Sequence, residues 1–73
     1  MTLDHLPDGA SAEVARIDEE NPNLVRFAEM GLIAGQQVTM LKRAPLGDPL
    51  KVRLMNFELC IRKSDASGIH LKT

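Results

Sequence analysis

Between Leu50 and Ile61 apolar and polar residues alternate in two runs on either side of a single asparagine, and this pattern leaves few folds open. Successive side chains of a strand point to opposite faces, so strict alternation marks a strand with one dry face and one wet face. Leu50, Val52 and Leu54 stand against Lys51, Arg53 and Met55; Phe57, Leu59 and Ile61 then stand against Glu58, Cys60 and Arg62. Asn56 lies between the runs, and asparagine is the residue after glycine that best tolerates left-handed backbone. It is expected to turn the two runs into a tight antiparallel hairpin. The 73 residues suffice for one domain, taken as residues 1–73, and not for a second core. A domain this small buries only roughly 60% of the surface its unfolded chain exposes, so most of its large apolar residues must serve as core. Trp and Tyr are absent and Phe27 and Phe57 are the only aromatic residues, so Leu, Ile, Val and Met must build that core. Little apolar surface remains for an internal active-site cavity.

The rest of the chain reads as a series of short elements. Leu6-Pro7-Asp8-Gly9 is a turn signature, with Pro fixing φ and Gly accepting a positive one. A strand follows from Ala10 to Ile17. Ala10, Ala12 and Val14 alternate with polar residues, then Ala15 and Ile17 continue in the opposite phase, which predicts a bulge near Val14 and Ala15. Asn21 can cap a helix and Pro22 suits its first position; Leu24, Phe27 and Ala28 fall at helical spacing, with Gly31 as a C-terminal cap. The spacing predicts a helix from about Pro22 to Met30 whose apolar stripe covers the core. Val38 to Arg43 is rich in strand formers and is broken by the loop Ala44-Pro45-Leu46-Gly47-Asp48-Pro49. Beyond the hairpin, Ser64 is expected to cap a single helical turn through Asp65, Ala66 and Ser67. Gly68 then reverses the chain into a closing strand, Ile69-His70-Leu71. This order predicts an all-β fold: a small five-stranded barrel with one short α-helix between the first two strands, closed to avoid exposed edges.

Composition excludes several functions. Nine basic against ten acidic residues give a net charge of −1 without a basic run, so a nucleic-acid partner is not expected. Cys60 is the single cysteine and cannot form an internal disulfide, which fits a reducing cytosol. No uninterrupted apolar run exceeds three residues, far short of the ~20 needed to cross a bilayer, and no leader is visible. The sequence offers no Ser-His-Asp set, no glycine-rich phosphate cradle and no close carboxylate pair on one strand, so no enzyme is expected. Asp18-Glu19-Glu20 reads as a solvated loop. His5, His70 and Cys60 are the candidate soft or borderline metal ligands, yet they lack a paired spacing such as Cys-x-x-Cys.

Leu6-Pro7-Asp8-Gly9, Ala28-Glu29-Met30-Gly31-Leu32-Ile33-Ala34-Gly35 with its following Val38, and above all Arg43-Ala44-Pro45-Leu46-Gly47-Asp48-Pro49-Leu50 resemble the FeoA family. Leu59-Cys60-Ile61-Arg62-Lys63 with Asp65 and Ala66 is similar to the family's closing pattern. Asn56-Phe57 stands where relatives usually have Gly-Tyr, and Met30 and Ala34 stand where Leu and Pro are common. The resemblance implies an SH3-like barrel, either a free cytosolic protein of ferrous iron uptake or the C-terminal domain of an iron-dependent repressor. With no helix-turn-helix segment, the chain looks like the free form. The resemblance further implies binding to the cytosolic portion of a FeoB-type transporter, near its GTP-binding domain, so that the membrane is reached only through that partner. The expected contact is a rim of Met30, Leu32, Leu46 and Asp48, formed by the proline loop and the helix end. No cofactor is implied. The alternative is a metal-binding or metal-sensing domain using His5, His70 or Cys60.

Overall fold

A computed structural model describes residues 1–72. Its five strands are β1 (Ser11–Ile17), β2 (Gln37–Arg43), β3 (Leu50–Leu54), β4 (Phe57–Ile61) and β5 (Ile69–Leu71). The helices are α1 (Pro22–Glu29) and α2 (Lys63–Ala66), preceded by a 3-10 turn over Leu3–His5 that the sequence pattern does not announce. All strand pairings are antiparallel, and the spatial order is β4-β3-β2-β1-β5.

The phase slip in the first strand has the expected consequence. Ser11–Glu13 pair with β2, while Val14–Ile17 pair with β5, and the register shifts between Val14 and Arg16. An extra residue bends the strand and increases its twist, so β1 can leave one neighbour and take up another. A second irregularity, between Met40 and Lys42 in β2, adds to the curl. The sheet wraps a core in which Leu3, Val14, Leu24, Leu32, Val38, Met40, Leu50, Val52, Leu54, Ile61 and Ile69 are fully buried. The Leu50, Val52 and Leu54 face is therefore the dry one, as the alternation requires.

Several expectations need correction. Hydrogen bonding does not close the sheet, since among the described residues β4 and β5 are its two edges. The outer side of β5 is instead covered by the first residues of the chain, through a bridge between Thr2 and His70 and the donation of Leu71 N–H to the Met1 carbonyl at 2.8 Å. The edge is thus satisfied by two residues rather than by barrel closure. Met55, not Asn56, takes the left-handed conformation of the β3–β4 turn, with φ of 56°. Phe57, placed in the core by alternation, is 37% exposed: it lies at the turn end of β4, an edge strand with a neighbour on one side. Ser64 does not cap α2: the helix starts two residues earlier than expected, at Lys63, with Arg62 in the cap position and no side-chain cap bond.

The expected cap of α1 is present and has a second role. Asn21 accepts the Asn23 N–H at 2.9 Å through its side-chain oxygen, and its side-chain nitrogen donates to Asp65 at 2.9 Å. Asp65, only 8% exposed, also receives the Asn23 side-chain amide at 3.4 Å, so the starts of the two helices are tied together. The chain leaves α1 through Gly31 at φ 109°, a backbone state that side chains strongly disfavour.

Two outcomes follow. Leu54→Ala should lower unfolding free energy by about 2–5 kcal/mol in urea titrations, enough to threaten so small a domain. Gly31→Ala should cost about 1–2 kcal/mol because of the backbone, not the space. A Cβ at Gly31 meets the flexible Met55 Cε at 2.5 Å, so if sterics were the cause, adding Met55→Ala would restore stability; no recovery is expected.

Candidate functional site

The surface is built by the segments that connect the strands. At one end of the β2–β3 ladder, where Arg43 pairs with Leu50, lies the proline loop. Ala44 N–H donates to the Pro49 carbonyl at 3.0 Å and Gly47 N–H to the Ala44 carbonyl at 2.7 Å. Gly47 turns at φ 90° and the Asp48–Pro49 peptide bond is cis. One Asp48 carboxylate oxygen accepts the Lys63 N–H at 2.9 Å, which anchors the loop to the first residue of α2. Arg43 holds the facing segment: its guanidinium donates to the carbonyls of Asp4 and Leu6, at 2.8 and 2.9 Å, and pairs with the Asp8 carboxylate. Leu46 projects from this framework with 97% of its surface exposed.

Met30 lies elsewhere. The helix end abuts the β3–β4 turn, where Gly31 sits against Met55, and Leu54 pairs with Val38 at that end of the ladder. Four residue steps along β3 take the chain from Leu50 to Leu54, roughly 13 Å at ~3.3 Å per residue. Met30 and Leu46 therefore do not form one rim. Leu32, expected on that rim, is fully buried and belongs to the core, while Asp48 acts as the anchor of the loop. Of the four expected contact residues, Leu46 and the 45% exposed Met30 present apolar surface.

The candidate metal ligands are also dispersed over separate partners. His5 Nδ1 lies 3.3 Å from the Thr2 hydroxyl, and His70 Nε2 lies 3.0 Å from an Asp18 carboxylate oxygen. Cys60 is exposed on β4, opposite Lys51. Among the described residues, no group of three or more His, Cys, Asp and Glu converges.

One feature escaped the sequence reading. An open groove of about 610 Å³ runs between the end of β1 and α1, lined by Arg16, Ile17, Glu19, Val25, Ala28, Ile33 and Ala34. Val14 fixes its third wall by donating to the Gln36 carbonyl at 2.9 Å and accepting Gly35 N–H at 2.8 Å, which brings Ile33 and Ala34 alongside β1. Leu24 and the partly buried Phe27 turn α1 towards the core, leaving Val25 and Ala28, three residues apart, on the groove side. That second apolar pair was the available signal in the sequence. Asp18 beside the groove accepts from Arg16 at 3.1 Å as well as facing His70, so it is not the free loop residue expected.

A family model for the FeoA domain matches residues 1–73. The chain belongs to the FeoA domain family. A curated relative, the Fe(2+) transport protein A/Fe(2+) transporter FeoB fusion protein of Porphyromonas gingivalis, is 32% identical over 99% of this chain. This FeoA domain spans 8% of that protein's length. The crystal structure of Stenotrophomonas maltophilia FeoA, described as a prokaryotic SH3 domain protein complexed with zinc, superposes with a TM-score of 0.86 at 30% identity, over 99% of this chain and 89% of that one. The solution structure of FeoA from Chlorobium tepidum gives 0.89 at 35% identity, over 97% and 68%. The fold is thus the SH3-like one that the sequence motifs imply. Among the described residues, no helix is long and apolar enough to cross a membrane.

The anchoring of the proline loop is open to measurement. Asp48→Ala should cost about 1 kcal/mol of stability. Native-state hydrogen exchange should show faster exchange at the Lys63 and Gly47 amides while the β2–β3 ladder amides are unchanged.

Proposed function

We propose that this FeoA domain is a non-catalytic accessory protein of ferrous iron uptake, working on the cytoplasmic side by docking on the cytosolic portion of a FeoB-type transporter, near its GTP-binding domain, and modulating its assembly or activity. The observation that carries this reading is the Porphyromonas gingivalis relative. There a segment similar to nearly all of this chain shares one polypeptide with an Fe(2+) transporter. Fusion keeps two domains at high effective concentration, an arrangement that favours partners that touch each other.

Physical features of the surface agree with docking. Leu46 is an apolar side chain held almost wholly in solvent by a loop whose ends are hydrogen-bonded to each other and to α2. An anchor already fixed in place loses little entropy when it enters a partner's pocket. The proposed contact is Leu46, with Asp48 holding the loop in position.

A pull-down of membranes containing FeoB tests the reading. Wild-type protein should recover the transporter, and Leu46→Asp should recover several-fold less while keeping the wild-type circular dichroism spectrum and melting curve. Equal recovery with both removes Leu46 from the contact; absence of recovery with either counts against the partner.

A further inference from the structure

A leucine at the tip of one loop does not make an interface of the roughly 1,000 Å² that a specific complex needs, so a second surface must share the contact. Resting on the proposed transporter-binding function, we infer that the groove between β1 and α1 receives a basic amphipathic helix from the cytosolic portion of the transporter. Its apolar stripe would lie on Val25, Ala28, Ile33 and Ala34, with its Lys and Arg residues towards Glu19 and Glu20.

The apolar lining is unusual for this molecule. Nearly every other large aliphatic side chain is in the core, yet Val25 is 46% and Ile33 49% exposed, and both line the same groove. These two side chains and the two alanines Ala28 and Ala34 give the groove an apolar lining from both the helix and the connection. A trough of this kind accepts residues spaced i, i+3 or i+4, and i+7 on a docked helix. The groove is open to solvent and lined by α1 on one side and by the end of β1 and its neighbouring connection on the other, which suits a helix; an extended strand would need a row of unpaired backbone groups, which side chains of α1 do not supply.

Charge selects the basic partner. Of the acidic run at residues 18–20, Asp18 is already engaged by Arg16 and His70. Glu19, which lines the groove, and Glu20 beside it have no ion-pair partner among the described residues. Two uncompensated carboxylates next to an apolar trough attract a cationic flank and repel an acidic one. The Arg16 guanidinium is held by Asp18 at 3.1 Å, which leaves the glutamates to set the sign of the local field.

Binding of the purified cytosolic portion of FeoB, measured by calorimetry, tests the inference. Val25, Ile33, Glu19 and Glu20 are surface residues, so Ile33→Asp and the pair Glu19→Lys with Glu20→Lys should fold normally, checked by melting curves. Ile33→Asp should weaken binding at least about tenfold. The double charge reversal should weaken it at low salt and much less at high salt. A photo-reactive amino acid at Ala34 should cross-link to a partner peptide with apolar residues at helical spacing flanked by Lys or Arg. If wild type binds and both groove variants bind equally well, the groove inference fails and the transporter reading stands. If wild type does not bind at all, the transporter reading fails and takes the groove with it. A cross-linked peptide lacking helical spacing, or a dimer of this chain formed without partner and abolished by Ile33→Asp, would also overturn the inference.

Discussion

The register shift between Val14 and Arg16 allows a single seven-residue strand to serve two neighbours, β2 along Ser11–Glu13 and β5 along Val14–Ile17. A chain this short cannot provide separate strands for two layers, so one strand must pass between them. The sheet then curls far enough to cover both sides of one aliphatic core. Beyond the same bend, exposed Arg16 and partly buried Ile17 form a wall of the groove. Core economy and surface shape thus have a common origin.

With so small a core, polar side chains fix the connections. Arg43 gathers the carbonyls of Asp4 and Leu6, Asp65 joins the starts of α1 and α2, Asp48 ties the proline loop to α2, and Asp18 joins β1 to β5. Each contact joins distant parts of the chain, and all but the exposed Asp48 bond are partly shielded from water, where a satisfied hydrogen bond contributes about 1 kcal/mol and an orphaned partner costs more. Such contacts add modestly to stability, but they fix where loops point. A loop leucine in solvent and a pair of exposed aliphatics beside a helix persist because the segments bearing them cannot collapse onto the core.

The readable parts of the sequence were those governed by short-range rules. The slip from Val14 to Ala15 announced the bulge, Asn21-Pro22 the start of α1, and Leu50, Val52 and Leu54 the buried face of β3. Errors arose where a short-range rule met a long-range boundary. Phe57 has the right parity for the core but sits at the turn end of an edge strand. Met55 takes the left-handed turn position although Asn56 suits that conformation better, because the hairpin register pairs Leu54 with Phe57 and places Met55 first in the turn. Leu32 is apolar and next to the helix end, as a contact residue would be, yet the core claims it.

The amino-acid order by itself determined the order of the five strands, the dry face of β3, the cap of α1 and the family, since alternation, capping and turn chemistry act over a few residues. Only the tertiary structure decided which exposed apolar side chains share a surface. It set Leu46 and Met30 at opposite ends of a ladder and brought Val25 and Ile33 together across a groove. Those placements depend on how far the sheet curls and where α1 settles on it. Both are set by contacts between residues distant in the chain, which no local pattern encodes.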